Sequence, residues 1–225
     1  MSGKDRRMRL HPGEVEASGW RVETLLDVVR LLRDTSPDVV GRPRVVAIDG
    51  RGGAGKSTLV ERMRRLVPDS AVVHTDDVAW HQAYFDWGHL LVEHVLGPVH
   101  RGEAVEFRPR PWVERGRTGA ISVPAGVEVV WLEGTGVLRQ ELAQWIDASI
   151  WVQGDLDQQE RRLVSRDGDS AAQQQHIADW LAEELPFLQR ERPWEKATLV
   201  ANGTTHLRHD PASEIVVSSP VGPRT

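Results

Sequence analysis

Short apolar runs alternate with longer amphipathic stretches through the middle of the chain. Val45–Ile48, Ala71–His74, Val127–Leu132, Ser149–Val152 and Ala197–Ala201 read as five strands. Their apolar character is nearly continuous, as strands covered on both faces require. Between them, Leu59, Met63 and Leu66 recur at helical spacing, and Asp157–Arg166 and Gln173–Arg190 read as helices. The second of these is expected to turn Ile177, Trp180, Leu181, Leu185 and Leu188 inward. A helix is also expected from Val137 to Trp145. Another is expected from Trp20 to Leu32, with Val22, Leu25, Leu26, Val29 and Leu32 on one face and Thr35-Ser36-Pro37-Asp38 as its stop. Residues 78–126 mix Trp, His, Pro and Arg, and predict a helix, a loop and a hairpin inserted on the ligand side of the sheet. Residues 1–17 read as a loose lead-in. Ile215–Val217 is a last apolar patch, and 218–225 a mobile tail. Strands alternating with helices predict one α/β domain with a five-stranded, mostly parallel sheet and helices on both faces.

The first strand runs directly into Gly50–Ser57, which spells G-x-x-x-x-G-K-S, and a helix follows. Strand, glycine-rich turn and helix make a P-loop, and so predict the P-loop NTPase fold. Successive backbone N–H groups wrap a phosphate there, small residues let the backbone approach, and the helix N-terminus adds positive charge. Gly50, Gly52, Gly53, Ala54, Gly55, Lys56, Ser57 and Thr58 are the expected nucleotide-binding residues. Lys56 reaches the outer phosphates and the Ser57 hydroxyl is suited to Mg2+. Gly50, Gly52 and Gly55 also satisfy G-x-G-x-x-G, with Asp76 and Asp77 near the position of a ribose-binding acid. That dinucleotide reading leaves Lys56 and Ser57 unexplained.

Composition narrows the partners. A net charge of −5 argues against broad nucleic-acid affinity, so phosphate must be held by local basic groups. There is no cysteine, which removes disulfide and thiolate chemistry and suits a reducing cytoplasm. The basic start leads into no apolar core of a signal peptide, and no apolar stretch is long enough to span a bilayer. Nine Trp against one Tyr is unusual; most belong to core packing, and one or two are expected to line a pocket.

Several polar residues fall at or just past strand ends, where ligands gather in parallel sheets. Asp76 and Asp77 follow the second strand. A carboxylate there can accept an acceptor hydroxyl's proton or hold Mg2+ through water; capping the next helix is the structural alternative. Glu133 ends the third strand and suits the Mg2+ water shell. Glu133-Gly134-Thr135-Gly136 echoes a GTPase turn, but no N-K-x-D follows. Arg161, Arg162 and Arg166 share one predicted helix, able to close over phosphates or to form a solvated basic face. His89, Glu93 and His94 lack metal-site spacing. Trp80, Arg110 and Trp112 lie in the stretch expected to receive the acceptor.

With Ile48–Thr58, His74-Thr75-Asp76-Asp77, Leu132-Glu133-Gly134, Arg162 with Arg166-Asp167, and Ala197–Gly203 in this order, the chain resembles the uridine kinase family of P-loop kinases. The resemblance spans about Arg44 to Thr204. It implies transfer of the γ-phosphoryl group of ATP, with Mg2+, to a primary hydroxyl of a nucleoside or nucleoside-like acceptor. It gives Asp76 the place of the catalytic base and Arg162 and Arg166 that of lid arginines, in a lid at about 155–175. It sets Asn202 and Gly203 near the adenine end. Two departures fall in the acceptor pocket. Val78-Ala79 and then Trp80 stand where the family carries an aromatic pair, and Arg110-Pro111-Trp112 stands where it carries Y-D-F or Y-D-W. A cytoplasmic kinase acting on a small hydroxyl acceptor is therefore expected, without nucleic acid or membrane and with a homo-oligomer allowed. A nucleotide-binding regulator with little or no transfer is the alternative.

Overall fold

The computed structural model describes residues 7–35 and 39–222. Residues 1–6 of the expected lead-in, 36–38 of the expected helix stop and 223–225 of the tail lie outside the described residues. In chain order the strands are β1 (Arg21–Thr24), β2 (Arg44–Gly50), β3 (Ser70–His74), β4 (Val105–Phe107), β5 (Ile121–Val123), β6 (Val129–Glu133), β7 (Ala148–Gln153), β8 (Leu199–Asn202) and β9 (Glu214–Ser218). The α-helices are α1 (Leu25–Asp34), α2 (Lys56–Arg64), α3 (Thr75–Ala79), α4 (Gly88–Leu91), α5 (Gly97–His100), α6 (Arg110–Glu114), α7 (Leu156–Asp167), α8 (Ala171–Glu191) and α9 (Pro193–Lys196).

The main sheet has seven strands in the order β1-β9-β8-β7-β2-β6-β3. The pairs β3–β6, β6–β2, β2–β7 and β7–β8 are parallel, and β8–β9 and β9–β1 are antiparallel. Alternation along each strand divides the core. Val45, Ala47, Val73, Val130, Leu132, Trp151 and Val200 face one way, against Leu91, Val95, Leu96, Phe187 and Trp194. Val46, Ile48, Val129, Trp131, Ile150 and Val217 face the other, against Val28, Val29, Leu32, Leu59 and Met63 of α1 and α2. Burial on both faces is why the parallel strands read as unbroken apolar runs. Gly50, His74, Glu133, Gln153 and Asn202 stand together at the carboxyl edge.

The expected α/β architecture holds, with seven strands rather than five in the main sheet. The expected helix from Trp20 is instead strand β1 followed by α1. Thr24 caps α1, its hydroxyl accepting from the Asp27 N–H, so the helix cannot extend back through Val22. Ile215–Val217 forms the middle of β9 and covers β8. The expected helix over 137–145 begins only at Gln140 and is a 3-10 turn, Gln140–Trp145. The residues before it are held by the N–H groups of Gly136 and Leu138, which both donate to the Asp49 carboxylate. In α8 only Glu184, Phe187 and Leu188 are buried. Ile177, Trp180, Leu181 and Leu185 are partly exposed, and Trp180 packs against Tyr84 and Phe85. The hairpin within 78–126 is β4–β5.

Residues 7–17 are a fastened strap rather than a loose lead-in. Arg9 donates its N–H to the Asp155 carboxylate (3.0 Å) and accepts from the Leu156 N–H (2.9 Å). Gln153 at the end of β7 accepts from the Ala17 N–H (2.9 Å) and donates to the Val15 carbonyl (2.9 Å). Gln189 of α8 donates to the Pro12 carbonyl (3.2 Å). The strap thus joins the start of α7, the carboxyl end of β7 and α8.

Candidate active site

The glycine-rich loop folds as its sequence requires. Gly55 takes a left-handed backbone (φ +102°) as the residue before α2, and that helix has neither a side-chain cap nor an acid in its first turn. Its amino end is therefore left to a ligand with negative charge. Gly53 lies so close to α7 that a Cβ would meet the Gln159 carbonyl at 2.6 Å. Lys56 Nζ donates to the Arg51 carbonyl (3.1 Å) and to Thr135 Oγ1 (3.3 Å), and Thr135 Oγ1 donates to the Gly50 carbonyl (3.0 Å). Ser57 and Thr58 are exposed, Ala54 is buried and Gly52 is half-buried.

Three sequence-predicted groups converge on Lys56. Ser57 Oγ donates to Glu133 Oε1 (3.3 Å), and Glu133 Oε2 pairs with His74 Nδ1 (2.7 Å). Burial pushes the Glu133 carboxyl up. The His74 hydrogen bond and the Lys56 charge outweigh it and hold the group below the usual carboxylate range. The same bond raises the His74 pKa. Asp76 stands in the first turn of α3 and opens to the cleft, yet enough protein surrounds it that desolvation lifts its pKa. Glu133 adds to the rise and Lys56 opposes it. Arg166 forms a two-toothed pair with Asp167 and also feels the charge of Asp76. Arg162 bridges the loop, donating to the Gly53 carbonyl (3.0 Å) and the Gly203 carbonyl (2.8 Å). Arg161 and Arg166 line a surface cavity of about 380 Å³ beside it. A larger groove of about 910 Å³ runs past Arg161, Gln158, Asn202 and His206 to Trp20.

The acceptor-side candidates divide. Asp77 pairs with Arg117 (2.5 Å), whose guanidinium carbon lies 3.6 Å above the Trp112 ring and 5.3 Å from that of Trp80. Trp112 is buried beneath this pair and donates its indole N–H to the Asp77 carbonyl (3.0 Å), so it supports the wall rather than forming its surface. Arg110 points into solvent and pairs with Glu114 of its own helix (2.6 Å). Of this set, Asp77, Trp80 and Trp112 are brought together and Arg110 is not. His94 stacks on Phe107, with ring centres 4.3 Å apart. Among the described residues no group of three or more His, Cys, Asp or Glu side chains could hold a metal ion.

Sequence reasoning missed five residues at this site. Asp49, fully buried, accepts from the N–H groups of Gly50, Gly136 and Leu138 and so ties the loop to the turn after β6. Burial lifts its pKa to about 6 against these donors and Lys56. Arg51, Thr135 and Glu184 are buried beside the loop, and Arg117 joins Asp77 to the face of Trp112. An acid in the last turn of an apolar strand was a readable signal for Asp49. The other partners are distant in sequence and left none. Asp49→Asn keeps the size but presents an amide N–H where a backbone N–H now donates. We expect a loss of about 2–3 kcal/mol, seen as a melting temperature about 4–12 °C lower. An unchanged melting curve would show that the carboxylate is dispensable.

Neither a protein-family model nor a curated protein sequence matches the chain. Solved structures do. A possible uridine kinase from Bacillus stearothermophilus superposes with a TM-score of 0.52 at 15% identity, covering 78% of this chain and 96% of that one. D-glycerate 3-kinase from Cryptococcus neoformans var. grubii superposes with a TM-score of 0.54 at 13% identity, covering 87% and 98%. At these identities the likeness is one of fold: the α/β architecture with its mostly parallel sheet is shared with both structures.

Proposed function

We propose that this chain is an ATP-dependent small-molecule kinase that transfers the γ-phosphoryl group to a hydroxyl of a nucleoside or nucleoside-like acceptor. One observation carries the reading: Lys56, Ser57, Glu133 and Asp76, drawn from three strand ends and two helix starts, share one electrostatic neighbourhood at the mouth of the glycine-rich loop. The fold shared with kinases supports it.

In this reading the loop N–H groups and the amino end of α2 bind the phosphates, and Lys56, held at the Arg51 carbonyl by one of its three N–H donors, turns another to the outer phosphates. Asp76, the more exposed of the two carboxylates, takes the acceptor's hydroxyl proton. Its raised pKa makes it a stronger base than a free Asp. Arg166 faces the charge that builds on the moving group, and Arg162 ties lid helix α7 to the loop. Ser57 and Glu133 fit Mg2+: they are hard oxygen donors facing each other, and the low Glu133 pKa keeps one of them anionic. Mg2+, when bound there with water and phosphate oxygens, supplies charge neutralisation on the phosphates. Catalysis is then mostly positioning and electrostatics.

The acceptor is tested by an ADP-release screen over nucleosides, sugars, pantothenate-like alcohols and nucleoside-type natural products, alongside calorimetry with MgATP. MgATP should give measurable heat, and at least one alcohol should stimulate ADP release. No heat from MgATP, or tight NAD(H) binding that ATP cannot displace, would overturn the kinase reading.

A further inference from the structure

The side chain of Arg51, the first variable residue of the glycine-rich loop, turns away from the cleft and into the protein. Its guanidinium donates to Glu184 of α8 (2.7 Å), and both residues are buried. Glu14 of the strap lies close enough for its charge to act on Arg51. Its Oε1 accepts from the indole N–H of Trp151 (3.2 Å) and the amide of Gln153 (3.1 Å). A buried cation bonded to a buried acid, with a second, half-buried acid nearby, is a costly arrangement for stability alone. Here it has a geometric result. The Arg51 carbonyl is the oxygen that accepts from Lys56 Nζ, so the guanidinium anchor sets where Lys56 is held.

We propose that Arg51 is a positioning residue for Lys56. Through Glu184 it fixes the peptide that holds the Lys56 ammonium, and it makes the setting of the phosphate loop depend on α8, the helix that follows the lid. This inference deepens the kinase reading and rests on it for its consequence, though not for its geometry. Glu184 also belongs to the helix whose Phe187 stacks on Phe85 of the segment before α4, with ring centres 4.1 Å apart. One helix therefore touches both the phosphate loop and the acceptor insertion.

The chain has three lysines, Lys4, Lys56 and Lys196, so a side-chain 15N-lysine label resolves the Lys56 ammonium by NMR. In Arg51→Met and Glu184→Gln that signal should move while the Lys196 signal stays. MgATP affinity, measured by calorimetry, should fall by about tenfold or more once the charged hydrogen bond is lost. Arg51→Lys, which keeps the charge, should recover most of the affinity. Glu184→Gln preserves volume and keeps the test usable if Arg51→Met does not fold. An unmoved Lys56 signal with wild-type MgATP affinity in Glu184→Gln would overturn the proposal. If the wild-type chain itself binds no MgATP, the kinase reading fails, and the Lys56 signal still decides whether Arg51 holds that side chain.

Discussion

Lys56→Ala should lower acceptor-stimulated ADP release by about a thousandfold or more and leave the fold intact. The stability half follows from its contacts. Lys56 is half-buried and, among the described residues, bonds to one carbonyl and one hydroxyl at the mouth of the loop, and the Gly50 carbonyl keeps its Thr135 donor without it. The activity half follows from its reach: it is the cation whose charge acts on Asp49, Asp76 and Glu133 together. Its removal also lets the pKa values of Asp76 and Glu133 rise, so residual activity should need a higher pH. Steady-state turnover and a melting curve, measured on the same preparation, check both halves. Turnover within tenfold of wild type would remove Lys56 from the transfer step.

Asp76→Asn should abolish transfer by about a hundredfold to ten-thousandfold, the range for loss of a positioned base, while MgATP still binds. Two pH effects accompany it. The folded-state pKa of Asp76 is raised, so the wild-type rate should climb with pH through a value above the usual Asp range. That limb should vanish in the variant. For stability the sign is opposite. A raised folded pKa stabilises the native state most below the unfolded pKa, and that contribution is lost as pH rises through the folded pKa. At neutral pH the wild type therefore carries a penalty that Asn lacks, and the variant should melt slightly higher. The rise is small because the group is exposed to screening solvent. Glu133 is among the groups that raise the Asp76 pKa, so Glu133→Gln should shift the wild-type limb to lower pH. A variant with an unaltered pH profile and rate would pass the role of base to another group.

The parts of the fold legible in the sequence were those with local signals. The parallel strands announce themselves because both faces of Val45–Ile48 or Val129–Leu132 are buried. The glycine-rich loop does so because its geometry demands small residues at fixed offsets. Strand β1 was misread because Val22 alternates with polar neighbours while Leu25, Val29 and Leu32 continue a helical stripe beyond it. Only pairing with β9, far along the chain, holds it extended. The candidate site divides in the same way. Lys56, Ser57, Asp76 and Glu133 are fixed by position at strand ends and were readable. Arg117 on Trp112, Arg51 on Glu184 and Asp49 on Leu138 are choices of partner made across the fold. Trp112 was noticed as an aromatic and expected to meet the acceptor. Its indole N–H found a backbone carbonyl inside, as a buried Trp usually must.

Strand β1 pairs only with β9, and the strap before it is closed onto Gln153 and α8. β1 and β9 are neighbours in the sheet but far apart along the chain, so their pairing is a long-range one. The parallel strands β3, β6, β2 and β7 lie closer together in sequence, so the antiparallel margin is expected to form after them. Refolding should therefore show the strap and β1 gaining protection against hydrogen exchange late, together with β9.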